Sequence, residues 1–484
     1  MSNNQKKPSA YKIMFDIVNS LKYYKTQQKG LLVEVDINGR TDIVDVRDTD
    51  FKYWCINEMN KQGKAIDKLP NIISRLSAKI WASTDEIEVH TRIAGNNNEI
   101  LYDLADEKGR IIKVTANKCK IIYSENCSQK FVRSTIMMKQ VAPQLDAKLG
   151  IKDLKKYLNI SSDESFNLLL VYIISCLVPN IPHPIAIFTG SQGAAKTTAS
   201  KLIKRIVDPA LIDTVSLPKD KKDLVVQLNR GHMIFFDNIS RINDDFNDVF
   251  CQTATGGYQI ARKLFTDNEI VAYKLQKCLI LNGIANLSEK ADLLDRAISI
   301  RFERIADTSR LSENEIFSKF EKDLPYFVGS ALQVLSKAMS IYPDVKLQKL
   351  PRMADFAQWG YAIAEALGIG GDNFIKIYEK NRKEIGFDLI QENATSKGIL
   401  DFMAQPKLKG YWKGSVKDFW VQLDRFALRT GINREDKSWA ATENVLGKWL
   451  EEAKVSLEGQ GLTFDKKNVG THKQLTIRYT KKAL

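Results

Sequence analysis

A run of nine residues has the types and spacing of a loop that binds the phosphates of a nucleotide. The run consists of Gly190, Ser191, Gln192, Gly193, Ala194, Ala195, Lys196, Thr197 and Thr198. Backbone N–H groups in such a loop surround the β-phosphate, and the positive end of a following helix adds to the attraction. The Lys196 ammonium would reach the β- and γ-phosphates, while the Thr197 hydroxyl would bind Mg²⁺. This chemistry predicts ATP and Mg²⁺ as the ligands of the loop.

The segments on both sides of the loop are of the kinds that a phosphate-binding loop needs. Residues 185–189 are typical of a buried strand, and residues 199–207 have the pattern of a helix. A strand, a glycine-containing loop, Lys-Thr and a helix distinguish this motif from a chance glycine-rich turn. Ala195 stands where the motif usually has its second glycine. We interpret it as a variant, because alanine tolerates the helical backbone expected at that point.

Two further strand ends carry polar side chains that can complete a nucleotide site. Four apolar residues, 233–236, precede Asp237, whose carboxylate would hold Mg²⁺ through water, as in a Walker B strand. The next apolar run ends in Asn282, which would orient attacking water against the γ-phosphate or would merely begin a turn. Asn238 follows Asp237 and can orient water, but its amide is not a base.

Two arginines are candidates for action on a nucleotide: Arg296 as an arginine finger from a neighbouring subunit, and Arg352 as a sensor 2 residue of a helical lid. Arg296 lies directly before the last apolar run of this region, and Arg352 follows Pro351, which suits the first position of a helix. An arginine from a neighbour can stabilise the transition state of phosphoryl transfer. The alternatives are a surface salt bridge for Arg296 and a surface arginine in the first turn of a helix for Arg352.

The composition is that of an ordinary folded protein with a polyanionic partner. Of the 484 residues, 44% are hydrophobic and 27% charged, and the net charge of +14 favours nucleic acid before anionic membrane. The six cysteines form no CxxC pair and the four histidines are dispersed, so the spacing predicts no zinc site and reduced thiols. The longest apolar run, 168–178, is too short to span a membrane. We expect a soluble, cytoplasmic protein.

The patterning predicts a multidomain α/β protein in three parts. Residues 1–145 mix helical and strand patterns, as an α+β domain for scaffolding, ring contacts or DNA contact would. Residues 146–395 alternate apolar strands with helices, as a parallel-sheet ATPase core does, and end in a helical lid with separate helices over 313–324 and 327–341. Residues 259–276 within this core have a hairpin pattern. Its basic residues are Arg262, Lys263 and Lys274.

Residues 396–484 have the pattern of a winged helix. Within them, residues 401–484 hold 16 Lys and Arg against 10 Asp and Glu, a balance of +6. A helix over 441–457 should bury Val445, Leu446, Trp449 and Leu450. A hairpin with Lys466, Lys467 and Lys473 follows it. Such a helix would enter the major groove of DNA while the hairpin meets the backbone, although a winged helix can equally bind protein.

Together these motifs resemble those of minichromosome-maintenance (MCM) type AAA+ helicases. The likeness rests on GSQGAAKT (190–197), FFDNIS (235–240), RKLFTDNE (262–269), ILNGI (280–284) and PRMADFAQWG (351–360). Among these helicases, they resemble those of the Rep and Cch type from staphylococcal pathogenicity islands and cassettes. The resemblance covers roughly 150–484 with specific motifs and 86–143 more loosely.

This resemblance implies a bacterial hexameric ring that uses ATP to unwind DNA, 3′ to 5′, in replication of a mobile genetic element. Lys196, Thr197, Asp237 and Asn282 would act in one subunit. Arg296 and Arg352 would act from the next. The hairpin would enter the central channel and contact single-stranded DNA, while duplex DNA would lie at the winged helix. A primase or other replication proteins would be further partners, and the ring would load itself at the origin.

One departure from the AAA+ pattern keeps other functions open. AAA+ ATPases usually place Glu after the Walker B Asp, where this chain has Asn238. Loss of a general base typically removes a factor of about 10² to 10⁴, although phosphoryl transfer depends mainly on positioning. A ring helicase is therefore the first hypothesis, and an initiator that uses ATP only to assemble on origin DNA is the second. A protein remodeller, with Tyr258 and Phe265 as pore aromatics, is the third.

Overall fold

The N-terminal part of the chain is built from helices packed on small sheets. In the computed structural model, the described residues are 8–26, 30–37, 39–66, 68–82, 86–134, 136–145, 149–190, 193–239, 242–262, 270–283, 291–305, 311–436, 438–469 and 472–480. The N-terminal elements are α1 (Ala10–Ser20), β1 (Tyr23–Thr26), β2 (Leu31–Ile37), β3 (Arg40–Asp45), α2 (Thr49–Lys61), α3 (Leu69–Ala82), β4 (Glu86–Ile87), β5 (Val89–His90), β6 (Ile93–Gly95), β7 (Ile100–Asp103), β8 (Arg110–Thr115), β9 (Lys118–Tyr123) and β10 (Lys130–Phe131). Strands β3-β2-β1-β4 form one sheet in that order, and β6 to β9 form an antiparallel meander. This is the mixture that the sequence predicted for residues 1–145.

The central part contains the parallel sheet that the alternating pattern predicted. Its elements are α4 (Asp163–Ser175), β11 (Ile185–Thr189), α5 (Lys196–Val207), α6 (Lys221–Leu228), β12 (Met233–Phe236), α7 (Asp244–Thr255), β13 (Gly257–Arg262), β14 (Ile270–Leu275), β15 (Cys278–Asn282), α8 (Ala291–Leu294) and β16 (Ala297–Arg301). The sheet has the order β12-β15-β11-β16, and all its strand pairs are parallel. Every residue of β11, β12 and β15 is buried, as expected of strands covered on both faces.

The strand order creates a crevice at the carboxyl end of β11. From β11 the chain crosses to β12, returns to β15 beside β11, and then places β16 on the other side. Such a change of direction leaves an opening above the carboxyl ends of the strands, where open α/β sheets bind their ligands. Strands β13 and β14 form a separate antiparallel hairpin, which confirms that prediction, and residues 263–269 of it lie outside the described ranges.

Helices α9 (Glu313–Ile341), α10 (Ala354–Leu367) and α11 (Gly371–Glu392) follow the sheet. The expectation of two helices over 313–341 is wrong, because α9 runs through Pro325. Leu324, Phe327 and Val328 around this proline are buried in the core of the central part. Packing on one continuous apolar face outweighs the hydrogen bond that the proline removes.

The C-terminal part has a hydrophobic core of its own. Its elements are α12 (Ala394–Met403), β17 (Tyr411–Ser415), α13 (Val416–Thr430), α14 (Glu443–Glu452), α15 (Lys454–Gly459), β18 (Leu462–Val469) and β19 (His472–Tyr479). The helices pack on an antiparallel sheet of order β17-β19-β18. Leu446, Trp449 and Leu450 are buried as predicted, but Val445 is 50% exposed. Helical spacing places 446, 449 and 450 on one face and turns 445 to its edge.

Residues before position 145 bind the far end of α5. The Tyr102 hydroxyl donates to the Val207 carbonyl at 3.0 Å, and the Gln140 amide donates to two carbonyls of the last turn of α5. Buried Arg92 pairs with Asp208 directly after that helix at 3.0 Å. These partners satisfy carbonyl groups that a helix end leaves open. Within the described residues, no helix combines the length and apolar character needed to cross a bilayer.

Candidate functional site

The predicted phosphate loop connects the end of β11 to the start of α5. Gly190 has φ +133°, and a Cβ at this position would lie 2.3 Å from the Phe302 carbonyl oxygen, so only glycine fits. Ser191 and Gln192 lie outside the described residues. Gly193 has φ +83°, and Ala194 is buried. The loop therefore delivers the N-terminus of α5 into the crevice above β11.

The backbone at Ala195 differs from the expected conformation. We expected a right-handed helical backbone, but Ala195 caps α5 with φ +58° and ψ 29°, in the left-handed region. This region is disfavoured for a residue with a Cβ and open to glycine. The conformation explains why the common motif has glycine here, and it means that alanine retains the loop geometry under strain.

Lys196, Thr197 and Thr198 form the first turn of α5. The Lys196 ammonium donates to the Gly190 carbonyl at 2.5 Å, so it folds back over its own loop. Thr197 and Thr198 are half-buried. The first backbone N–H groups of α5 have no partner within the helix, which makes this end attractive to an anion.

Side chains from three segments meet beside this turn. The Thr197 hydroxyl donates to Asp237 Oδ2 at 2.9 Å, and Asn282 Nδ2 donates to Asp237 Oδ1 at 2.6 Å. The pairing of β12 with β15 brings Asp237 and Asn282 together, because each lies at the carboxyl end of its strand. Asn282 Oδ1 is buried and has no hydrogen-bond partner among the described residues. An acceptor in this state is open to a water or ligand donor.

The donor set at this position suits Mg²⁺ and a phosphate chain. A threonine hydroxyl and a carboxylate, Thr197 and Asp237, are hard oxygen ligands of the kind that Mg²⁺ prefers. Asp237 is 8% exposed, so its charge lies in a sheltered position. Lys196 and the positive end of α5 supply the complementary charge for phosphates. The residues fit the ligands that the sequence predicted.

Asn238 follows Asp237 in a left-handed conformation. Its φ is +55°, and its backbone N–H donates to Asp237 Oδ1 at 2.9 Å. The neighbouring Gly283 is so close that a Cβ there would lie 2.9 Å from Asn238 Cα. Asparagine adopts this conformation more readily than most residues. A backbone requirement thus accounts for an amide where a glutamate was expected.

Arg296 and Arg352 meet in one charged cluster. Arg296 pairs with Asp292 at 2.5 Å, and Arg352 pairs with both Asp292 at 3.0 Å and Asp295 at 2.7 Å. Arg382 of α11 also pairs with Asp295, at 3.0 Å. Arg296 lies at the amino end of β16, on the edge of the sheet opposite the phosphate loop of the same chain. The two arginines are therefore not part of the nucleotide site within one chain.

Arg352 lies before α10 rather than in its first turn, because α10 begins at Ala354. The sequence analysis did not identify Asp292, Asp295 and Arg382 as members of this cluster. The spacing Asp292-Leu-Leu-Asp295-Arg296 was a usable signal for the two carboxylates. Arg382, 87 residues from Asp295 in sequence, had no such signal.

The basic residues predicted to contact DNA differ in their surroundings. Lys274 pairs with Glu88 of the N-terminal part at 2.7 Å. Lys466 binds the Gly447 carbonyl and Glu451 of α14, whereas Lys467 is 76% exposed and 3.3 Å from Asp465. Arg262 ends β13 and Lys473 lies in β19, and their side chains, like all of Lys263, lie outside the described residues.

Solved structures with a similar trace give no functional information. Three structures of the NrS-1 C-terminal region, in apo form, match with TM-scores of 0.38, 0.40 and 0.39 and sequence identities of 11%, 12% and 11%. They cover 97%, 98% and 97% of this chain, and the chain covers 99%, 100% and 98% of theirs. Scores this low carry no argument. Among curated proteins, none matches the chain.

Two family models match adjoining parts of the sequence. The model of the actinomycete integrative conjugative element replication protein, RepA, matches residues 151–377. The model of the RepA C-terminal domain matches residues 396–483. The first match includes the phosphate loop, Asp237, Asn282, Arg296 and Arg352, and the second runs from within α12 to the end of β19. Because both models describe one protein and together cover more than half of the chain, the chain belongs to the RepA family of mobile-element replication proteins.

Proposed function

We propose that this replication protein is an MCM-like AAA+ helicase, which hydrolyses ATP to unwind DNA. The observation that carries the proposal is the contact of Thr197, Asp237 and Asn282 beside the first turn of α5, with Lys196 over the loop. A carboxylate, a hydroxyl, an ammonium and a helix N-terminus in one crevice are the parts that phosphoryl transfer needs. Mg²⁺, held by Thr197 and Asp237, would neutralise charge on the phosphates.

Each residue of the site has a separate task in this proposal. Lys196 leaves the Gly190 carbonyl and binds the β- and γ-phosphates. The buried Asn282 keeps one amide hydrogen bond to Asp237 and offers its unpaired Oδ1 to the attacking water, which it orients. The reaction therefore relies on positioning and charge rather than on a general base, and slow turnover is expected.

The arginine cluster supports action between subunits of a ring. Three arginines and two aspartates give this cluster an excess of positive charge, on the edge away from the phosphate loop of the same chain. In a hexameric ring that edge would face the nucleotide of the next subunit. Arg296 and Arg352 would there stabilise the charge of the transition state.

The C-terminal part supports duplex DNA binding by a winged helix. The helices of this part pack on a three-stranded sheet with a basic hairpin and leave Asn444, Val445 and Lys448 of α14 on the surface. This face would enter the major groove, and exposed Lys467 would meet the phosphate backbone. Single-stranded DNA would contact the hairpin of β13 and β14, after Lys274 exchanges Glu88 for a phosphate.

A strand-displacement assay on forked DNA with ATP tests the proposal. Lys196→Ala should abolish unwinding and ATP hydrolysis. Lys201→Ala is the matched control, because Lys201 lies in the same helix and pairs with Glu313 at the surface. Hydrolysis equal to wild type in Lys196→Ala would contradict the proposed site.

A second candidate is an initiator that ATP switches without unwinding. It is favoured by Asn238, because no carboxylate follows Asp237 and the backbone there has φ +55°. ATP-dependent assembly on origin DNA without strand displacement, in both wild type and Lys201→Ala, would support this candidate over the helicase.

A further inference from the structure

Two cysteines and two histidines converge at the amino-terminal edge of the parallel sheet. Cys176 caps the end of α4, and His183 lies two residues before β11. His232 directly precedes β12, and Cys278 is the first residue of β15. Because parallel strands begin at the same edge, residues far apart in sequence become neighbours there. This edge lies opposite the phosphate loop.

Three of these side chains have the mutual distances of a metal-binding group. The Sγ atoms of Cys176 and Cys278 and a ring nitrogen of His183 all lie within 4.8 Å of one another. A tetrahedral zinc ion with bonds near 2.3 Å to sulfur holds its sulfur ligands ~3.8 Å apart. A contraction of about 1 Å would close the group on an ion. His232 Nε2 lies 3.6 Å from Cys278 Sγ and 2.7 Å from the Cys176 carbonyl oxygen.

The His183 ring has a nitrogen that is available to bind a metal ion. The side chain is 3% exposed, and its Nδ1 atom is buried without a hydrogen-bond partner among the described residues. A buried imidazole nitrogen without a partner is costly unless something binds it.

The charge of the proposed ligands also suits a divalent cation. A cation that binds Cys176 and Cys278 would replace the protons of the two thiols. Two thiolates would then balance a divalent charge, which leaves a neutral buried unit.

We propose that Cys176, His183 and Cys278 bind one divalent cation of the zinc class, with His232 or water in the fourth position. The ion reaches the site from a cleft lined by Pro179, Asn180, His183, His232 and Lys277. Its role is structural, because it ties the end of α4 to the first residue of β15. Cys278 also follows the base of the β13–β14 hairpin by three residues, so the ion fixes the root of that hairpin.

Metal analysis of the purified full chain tests this proposal. After incubation with Zn²⁺ and removal of excess, one zinc per chain is expected, and Co²⁺ should give thiolate-to-cobalt charge-transfer absorption. Cys278→Ser should weaken zinc binding by at least about tenfold. Cys251→Ser is the matched control, because Cys251 is also buried in the central part but lies in α7, outside the group. It should bind like wild type.

A second measurement on the wild-type chain keeps the proposal testable if Cys278→Ser does not fold. Zn²⁺ should protect Cys176 and Cys278 from alkylation, as mapped by mass spectrometry, and leave Cys55 and Cys251 unchanged. Less than a tenth of a zinc per chain, equal zinc in the folded Cys278→Ser variant, or a Cys176–Cys278 disulfide in place of metal would each overturn the proposal. These outcomes are independent of ATP hydrolysis.

Discussion

Ala195→Gly should stabilise the phosphate loop, although it introduces the most flexible residue. Ala195 has φ +58° and ψ 29° at the start of α5. An L-residue in this region costs about 1–2 kcal/mol, which glycine avoids. Glycine also gives the unfolded chain more conformational freedom, which lowers stability by about 0.4–1 kcal/mol. The free energy of local opening of the loop should therefore rise by about 0.5–1 kcal/mol.

Amide hydrogen exchange by mass spectrometry measures this change locally. Peptides from β11 and α5 should exchange more slowly in Ala195→Gly, by about two- to fivefold, because exchange follows the free energy of local opening. Ala199→Gly is the matched control within α5. There the backbone is right-handed and the methyl group is buried, so the same substitution should cost about 1 kcal/mol or more.

The direction of the change in exchange rate tests whether the left-handed backbone at Ala195 explains the usual glycine of the motif. If Ala195→Gly exchanges faster than wild type, as Ala199→Gly should, the left-handed conformation is not the reason for the motif's usual glycine. ATP affinity of Ala195→Gly should equal or exceed that of wild type, because the loop is then held without strain. A large loss of affinity with unchanged exchange would refute the reasoning from backbone geometry.

Three further outcomes follow from single contacts. Gly190→Ala should abolish ATP binding and lower stability by several kcal/mol, because the alanine Cβ would lie 2.3 Å from a backbone carbonyl oxygen. Fluorescent-nucleotide titration and thermal unfolding measure the two effects. Burial alone would raise the pKa of Asp208, but the Arg92 guanidinium outweighs it and holds that pKa well below its usual range. Stability should therefore fall as the pH drops below about 4. In acid titrations, Asp208→Asn should lose this pH dependence. At pH 7 the same variant should be about 3–5 kcal/mol less stable than wild type. Lys467→Ala should weaken duplex DNA binding and reduce its salt dependence, with little effect on folding. Lys466→Ala should mainly destabilise the C-terminal part, because Lys466 binds α14. A reversed order of the two lysines in a salt titration would contradict their assignment.

Most of the correct predictions depend on residues that are neighbours in sequence. The apolar runs before Gly190, Asp237 and Asn282 predicted three strands, and the parallel sheet then brought their carboxyl ends together. The missed features depend on packing or on backbone angles. Pro325 predicted a break, but burial on both sides of it keeps α9 continuous.

Other features could not be predicted because their partners are distant in sequence. Arg296 and Arg352 share Asp292, a contact that depends on how α10 and α11 pack against α8. Cys176 and Cys278 appeared dispersed, and only the common edge of the strands brings them close. Ala195 gave no sign of its left-handed backbone, because the angle depends on how the loop is held between β11 and α5.

The contacts at the far end of α5 set the size of the folding unit. Tyr102, Gln140 and Arg92 come from the part of the chain before the sheet, yet they bind the last turn of the helix that carries Lys196. A fragment beginning at residue 146 would leave those carbonyls open and Asp208 buried without its partner. Residues 90–145 and the central part with the parallel sheet should therefore unfold in one cooperative transition. They are also expected to be inherited and exchanged between mobile elements as a single piece.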